Sequence, residues 1–276
     1  PFPLTDVQAA YLVGRGSAYA YGGVGCHGYV ELDMPDLDPV RLEQAWHRLI
    51  DRHDMLRAIV TQEGWQRVLE NVSLPVLETD DLRGQPEDAV FASLERTRAA
   101  MSERCYTPDN WPLYELRLSR CDQLSRLHLS LDLLIADFVS IQIMLAELDQ
   151  LYRMPQQPLP PLSLTFRDAV LALRHEREQP AQRARFARDR DYWMARIPDM
   201  PGAPDLPVQD TPVTQEPVKF SRHALTLSPA QWQAFCHHAG ERRTTPTCAI
   251  LAAFADTIGR WSRQPDYSLN LTVLNR

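Results

Sequence analysis

Two aspartates and a serine follow a predicted strand at a spacing that could form one site. Asp132 ends a run of alternating apolar residues, Asp137 follows in the next loop, and Ser140 begins a helical pattern. Loops between a strand and a helix commonly present functional groups, and carboxylates can accept or donate protons. Carboxylates also serve as turn and helix-cap groups, because a helix N-terminus favours an anion. The residue types therefore leave a catalytic and a structural role open.

Other residue patterns that could support chemistry are weaker. His237 and His238 lie on an amphipathic helical segment without a neighbouring aspartate, and a general base needs a partner that orients it. We interpret them as helix-surface residues. The glycines near position 23 match no phosphate-binding pattern. The five cysteines show no CxxC spacing, so we predict no metal site and interpret the thiols as free in a reducing cytosol.

Strands and helices with clear signals surround the two aspartates. Alternating apolar residues at 114–118 and 127–131 predict a hairpin that ends at Asp132. Asp38 followed by Pro39 predicts a helix start, because Asp caps helices and Pro suits the first helical position. Strands mixed with helices indicate an α+β fold. Further elements are predicted as strands at 26–32, 220–227 and 267–274 and as helices at 42–50, 141–152, 163–178, 180–196 and from 228 and 245.

The length and charge of the chain exclude several classes of protein. The 276 residues are 44% apolar and 24% charged, which is typical of a globular protein with a full core. A net charge of −7 argues against non-specific binding to nucleic acid or to an anionic membrane. No apolar run reaches the ~20 residues of a membrane helix. Because the chain begins without Met and ends directly after a predicted strand, we expect it to be part of a longer polypeptide.

Three motifs occur in an order that is typical of one enzyme family. The segment FPLTDVQAAYLVGR lies at 2–15, RHDMLR lies at 52–57, and Asp132, Asp137 and Ser140 form a DxxxxDxxS pattern. These segments resemble motifs of the heterocyclization domains of nonribosomal peptide synthetases, which belong to the condensation domain superfamily. The DxxxxDxxS pattern replaces the HHxxxDG of ordinary condensation domains.

The resemblance continues to the end of the chain and implies a fold. DYW at 191–193 and LNLTVLNR at 269–276 also look familial. The implied fold is chloramphenicol-acetyltransferase-like, an α+β fold of two lobes that are two-layer α/β sandwiches. Residues 1–197 would be the complete N-terminal lobe, 198–217 a Pro-rich linker between the lobes, and 218–276 the beginning of the C-terminal lobe.

The motif register implies candidate catalytic residues. Asp132 falls at the first histidine of HHxxxDG, and Leu133 falls at the second. A leucine cannot act as a base, so the role of the second histidine is not retained. Asp132 is either catalytic or structural, and its access to solvent decides between the roles. We take Asp132 and Asn275, in the last predicted strand, as catalytic candidates. The family's further catalytic aspartate and threonine are expected beyond Arg276.

The resemblance also implies residues that support the active site. Asp137 keeps the aspartate position of HHxxxDG, so it is expected to be an architectural carboxylate together with Ser140. A buried carboxylate needs a cationic partner, and we predict Arg57 or Arg52 for it.

The function that the resemblance implies is heterocyclization. The domain would condense an upstream carrier-bound acyl thioester with carrier-bound cysteine, serine or threonine, and then cyclise and dehydrate the product to a thiazoline or oxazoline. It would be a cytoplasmic enzyme of siderophore or peptide natural product biosynthesis, with no metal and no directly bound cofactor. Its partners would be upstream and downstream carrier domains with 4'-phosphopantetheine arms and an adenylation domain of the same assembly line. A condensation-type acyltransferase without cyclisation and a non-catalytic carrier-docking module are the alternatives.

Overall fold

The computed structural model of the protein describes residues 1–16, 23–207 and 223–271. These residues form two compact units that divide between Glu178 and Gln179. The sequence predicted the end of the N-terminal lobe at Ile197, and the arginine-rich helix before that residue belongs to the second unit. No side chain of that helix is buried. The identity of the two units with the two family lobes stays a prediction.

The first unit contains seven strands and five helices within its described residues. The elements are β1 Phe2–Pro3, α1 Asp6–Gly14, β2 His27–Met34, α2 Pro39–Arg52, β3 Ala58–Val60, β4 Trp65–Val68, β5 Glu78–Asp81, α3 Glu87–Ser102, β6 Tyr114–Arg120, β7 Ser125–Asp132, α4 Phe138–Arg153 and α5 Phe166–Glu178. Half of these elements were predicted, including the strand before Asp38, the helix that this residue caps, and the hairpin that ends at Asp132, whereas β1, α1, β3, β4, β5 and α3 were not.

Two sheets organise the first unit. The larger sheet has the order β2-β7-β6-β5, in which β7 is antiparallel to both of its neighbours and β5 runs parallel to β6. In this register His27 lies opposite Asp132, so β2 begins beside the loop that follows β7. The smaller sheet has the order β1-β4-β3 and pairs Phe2 with Gln66. The sheets bring the N-terminal motif and the aspartate loop into the same unit.

Helices α2 and α4 cover one face of the larger sheet and form the main core. Asp38 caps α2 by accepting hydrogen bonds from the backbone N–H groups of Val40 and Arg41. The apolar spacing predicted for α2 and α4 matches the residues that are buried, because positions three and four apart share one helical face. The buried residues of these helices are Leu42, Ala45, Trp46, Leu49, Ile50, Ile141, Met144, Leu148 and Leu151.

The opposite face of the sheet carries a buried polar network around His128. The imidazole is fully buried, and Ser119 Oγ lies 3.1 Å from its Nε2. The Tyr29 hydroxyl lies 2.8 Å from Nδ1 and donates to Glu31 at 2.7 Å. Because that hydroxyl gives its only proton to Glu31, the neutral ring must donate from Nδ1 and accept at Nε2. The geometry therefore fits a neutral His128.

Acid is expected to destabilise the protein through His128. Burial lowers the pKa of His128, and Arg126 and Arg98 oppose the attraction of Glu31. In the unfolded chain this histidine binds a proton at about pH 6.5, whereas in the folded protein it does so only at lower pH. Unfolding therefore takes up a proton, and the free energy of unfolding falls as the pH drops below about 6.5. Thermal melting across this range measures the effect. His128→Gln should weaken the pH dependence, and an equal dependence in parent and variant would contradict the assignment.

The second unit is helical in the part that the structure describes. Its helices are α6 Pro180–Arg196, α7 Pro229–Glu241 and α8 Pro246–Trp261. The strands predicted at 220–227 and 267–274 are not formed in their described residues, 223–227 and 267–271. A strand needs a neighbour for its backbone hydrogen bonds, and these segments pair with no described strand. No helix of the described residues is both long and apolar enough to span a membrane.

Candidate functional site

Asp132 lies in the interior of the first unit at the end of β7. Its side chain is 0% exposed, and both carboxylate oxygens bond to Nη2 of Arg15. Arg15 follows α1 directly, and its side chain is 11% exposed. A buried carboxylate keeps its charge only beside a matching cation, so Arg15 is the partner that Asp132 requires.

The Arg15 guanidinium is also held on its other side. Nη1 donates a hydrogen bond to the Tyr106 carbonyl at 2.9 Å. Gly25 permits the close approach of this group, because a Cβ there would lie 3.3 Å from Arg15 Nη1 and 3.4 Å from Cys105 Sγ. A residue with a side chain at position 25 would require Arg15 or Cys105 to shift by a few tenths of an ångström.

The loop after Asp132 is fixed through its backbone. Asp132 Oδ1 accepts a hydrogen bond from the Leu134 N–H at 2.9 Å, and the Leu134 carbonyl accepts one from Gln8 Nε2 at 2.7 Å. The Ile135 N–H donates to the Asp132 carbonyl at 3.1 Å. Gln8 and Arg15 are two helical turns apart and lie on one face of α1. The first motif therefore holds the aspartate loop with two side chains.

Tyr11, on the same helix, lies beside the Cys26 thiol. Burial raises the pKa of the Tyr11 hydroxyl, and the neighbouring Cys26 and Asp137 raise it further. Burial also raises the pKa of the Cys26 thiol, and the Asp132 carboxylate adds to that rise. Both groups therefore stay protonated at neutral pH, so Tyr11 is available as a hydrogen-bond donor and not as a base.

Asp137 caps the helix that follows the loop. Its Oδ1 accepts from the Ser140 N–H at 2.8 Å and from the Ser140 hydroxyl at 2.7 Å. Asp137 is half-buried, unlike Asp132. The two aspartates therefore have different environments: Asp132 shares a buried ion pair, and Asp137 sets the start of α4.

Asp137→Ala is expected to lower the free energy of unfolding by about 0.5–2 kcal/mol, the usual cost of a lost helix cap. Urea unfolding measures this loss. Asp38→Ala, which removes the cap of α2, is a matched control and should cost a similar amount. A loss above about 3 kcal/mol in Asp137→Ala alone would contradict the cap role and indicate that Asp137 neutralises a buried charge.

The predicted pairing of Asp137 with Arg57 or Arg52 is wrong. Arg57 Nη2 bonds to Asp54 at 2.8 Å, and the other donors of Arg57 bond to backbone carbonyls. Arg52 bonds to both carboxylate oxygens of Glu147 on α4, at 2.9 and 3.1 Å. Asp54 is close to Arg57 in sequence, and Glu147 lies on the helix that faces Arg52, so each arginine has another carboxylate as its partner. The RHDMLR motif therefore stabilises α2 and the turn after it.

The remaining predicted candidates do not join the Asp132 site in the described residues. Asn275 lies outside the described residues, so its role stays a prediction. His237 and His238 are exposed on α7 and pair with Glu241 at 3.3 and 3.0 Å, which agrees with their interpretation as surface residues. Within 1–16, 23–207 and 223–271, no three His, Cys, Asp or Glu side chains are placed to hold a metal ion.

Sequence reasoning missed the residues that hold the loop, although two of them lie in the first motif. Gln8 and Arg15 form polar positions on one face of a largely apolar helix, and this stripe was the available signal.

Comparisons with known sequences show the family of this chain. A family model described as Condensation domain matches residues 25–276. Pyochelin synthetase PchF of Pseudomonas aeruginosa is 44% identical over 276 residues, which is 100% of this chain and 15% of that protein. Phenyloxazoline synthase MbtB of Mycobacterium tuberculosis is 36% identical over 280 residues, which is 100% of this chain and 19% of that protein. The chain thus spans less than a fifth of the length of these relatives.

Solved structures confirm the predicted fold class. The EpoB cyclization-docking bidomain from Sorangium cellulosum is 38% identical with a TM-score of 0.81, over 96% of this chain and 52% of that chain. The nonribosomal peptide synthetase FmoA3 is 31% identical with a TM-score of 0.78, over 100% of this chain and 28% of that chain. Both structures are similar to this chain over nearly its full described length.

Proposed function

Because the chain belongs to the condensation domain family, on its heterocyclization branch, we propose that it makes thiazoline or oxazoline rings in a nonribosomal peptide synthetase. In this proposal it joins an upstream carrier-bound acyl group to carrier-bound cysteine, serine or threonine, and then cyclises and dehydrates the product. One observation supports this most: Gln8 and Arg15 of the first motif hold the loop that begins at Asp132, so two separate parts of the heterocyclization signature meet in one place.

Two further observations favour cyclisation over plain condensation. MbtB is named a phenyloxazoline synthase and the EpoB structure is described as a cyclization-docking bidomain, and these words describe those proteins. In this chain, Leu133 occupies the position at which ordinary condensation domains carry their second histidine. The proposed chemistry therefore proceeds without that base.

The first proposed stage forms an amide. The acceptor amine attacks the carbonyl carbon of the acyl thioester, the carbon–sulfur bond breaks, and the donor carrier leaves as a free thiol that takes the proton lost by nitrogen. A neutral amine is already nucleophilic and a thioester is already activated, so positioning of the two carrier arms supplies much of the rate. This stage fits a site with no histidine.

The second proposed stage makes the ring. The side-chain thiol or hydroxyl adds to the carbonyl carbon of the new amide, and the former carbonyl oxygen then leaves as water together with the proton of the amide nitrogen. An amide is a poor electrophile and hydroxide a poor leaving group, so this stage needs hydrogen-bond donors and proton transfer. Asn275 remains the candidate of this chain for these tasks.

For Asp132 we propose that the ion pair with Arg15 is the main role. The carboxylate has no access to solvent, and access was the criterion that separated the two roles. Asp132→Asn should then keep most of its cyclised product per folded molecule, measured well below its melting temperature. A fall of about 100-fold or more per folded molecule would contradict this proposal.

The proposed partners follow from the same chemistry. Upstream and downstream carrier domains would deliver both substrates on phosphopantetheine arms, and an adenylation domain of the same assembly line would load the acceptor. We propose a cytoplasmic enzyme that itself binds no cofactor or metal.

Intact-mass spectrometry of the downstream carrier tests the proposed function. One carrier is loaded with a simple acyl group and the other with cysteine, and the domain is added in its full-length context. A condensed product lighter by one further water is expected. Condensed product without that loss would establish plain condensation, and no transfer from competent carriers would favour the docking module.

A further inference from the structure

Gln8 and Gln66 form a pair of buried amides beneath the aspartate loop. Gln8 on α1 is 5% exposed and Gln66 on β4 is 0% exposed. Each side chain donates to the other: Gln8 Nε2 lies 3.0 Å from Gln66 Oε1, and Gln66 Nε2 lies 3.2 Å from Gln8 Oε1. Buried amides are costly unless they are satisfied, so the pairing needs further partners for the remaining donors.

Those partners connect the pair to two other segments. The second Gln8 Nε2 proton goes to the Leu134 carbonyl at 2.7 Å, and the second Gln66 Nε2 proton goes to the Pro3 carbonyl at 2.8 Å. The Thr5 N–H donates to Gln8 Oε1 at 2.9 Å. All four N–H groups of the two amides are used, so neither amide can be reversed without facing a carbonyl with an oxygen.

The backbone of Leu134 is consequently held on both sides. Its N–H donates to the Asp132 carboxylate, and its carbonyl accepts from Gln8. Leu134 directly follows Leu133, the position that matches the second histidine of ordinary condensation domains. The backbone directly after that position is therefore held by Gln8, whose own orientation depends on Gln66.

We propose that Gln66 is a positioning residue for the aspartate loop and acts through Gln8. This inference rests on the proposed function, because it assigns the loop to the reacting region of a heterocyclization domain. Gln66 bonds to Gln8 and to the Pro3 carbonyl and not to the loop itself, and Gln8 is the one of these two partners that bonds to the loop. Misplacement of reacting groups by about 1 Å costs up to about 100-fold in rate.

The test measures turnover and KM of Gln66→Met for the loaded carriers, in the full-length context and well below the melting temperature. Turnover per folded molecule should fall by about tenfold or more, with KM unchanged, because the loop is displaced and the carrier contacts are not. Ser119→Ala is the matched control: it removes a buried hydrogen bond of the same unit, in the network around His128, and should leave turnover per folded molecule unchanged. If Gln66→Met does not fold, Gln66→Asn, which keeps an amide but shortens its reach toward Gln8, takes its place and should show the same fall in turnover.

A double variant tests the route through Gln8. Gln8→Met combined with Gln66→Met should be no slower than the slower single variant, because effects that pass through one contact are not additive. Multiplied losses in the double variant, or a fall in Gln66→Met no larger than that in Ser119→Ala, would overturn the proposal. If the proposed function itself is wrong, the parent domain makes no cyclised product at all. That result is distinct from a failure of the positioning role of Gln66, in which the parent is active and the variant is equally active.

Discussion

Arg15→Met should lower the free energy of unfolding by about 3–5 kcal/mol, because it leaves the Asp132 carboxylate buried without a cation. Asp132 is 0% exposed and Arg15 is its partner through both carboxylate oxygens. Methionine keeps much of the length and apolar volume of arginine, so the loss of charge dominates. Urea unfolding of parent and variant at neutral pH measures the difference.

Arg83→Met is the matched control for this prediction. Arg83 pairs with Asp81 at the surface, where the two side chains are 44% and 53% exposed. Exposed pairs contribute only about 0–1 kcal/mol, so the control variant should be nearly as stable as the parent. Equal losses in Arg15→Met and Arg83→Met would contradict the assignment of Arg15 and Asp132 as a buried pair.

Leu131→Ala should cost about 2–5 kcal/mol, the range for a large-to-small change in a packed core. Leu131 is 1% exposed and lies on β7 directly before Asp132, between Gly28 on β2 and Tyr114 on β6. Loss of its side chain leaves a cavity beneath the strand that carries the aspartate loop. Thermal and urea unfolding measure the loss.

Val76→Ala provides the contrast for the core substitution. Val76 is 80% exposed, and surface changes away from special features usually stay within about 0.5 kcal/mol. A loss below about 1 kcal/mol in Leu131→Ala would contradict the packing described for β7.

Local patterns were sufficient to predict half of the elements of the first unit. The apolar alternation that ends at Asp132 predicted β6 and β7 as a hairpin, because a hairpin needs only neighbouring residues. Asp38 and Pro39 predicted the start of α2, because a helix cap also depends only on neighbouring residues. The last two predicted strands failed in their described residues, since a strand requires a partner that no local pattern supplies.

The partners within the candidate site were harder to predict. Sequence indicated that a buried carboxylate needs a cation, but it did not indicate which arginine of the motifs supplies it, because Arg15 and Asp132 are far apart in the chain. Helical spacing places Gln8 and Arg15 on one face of α1 without indicating what that face contacts. Such long-range pairs depend on how the sheets and helices assemble.

Isotopic labelling of the donor carbonyl oxygen tests the central claim, that this chain is a heterocyclization domain, most directly. The donor carrier is loaded with an acyl thioester whose carbonyl carries the heavy isotope of oxygen, and the product on the downstream carrier is weighed after reaction with carrier-bound cysteine. Ring formation expels that oxygen as water, so we predict a dehydrated product without the label. A condensed product that retains the heavy oxygen would contradict heterocyclization, because the amide carbonyl would still be intact.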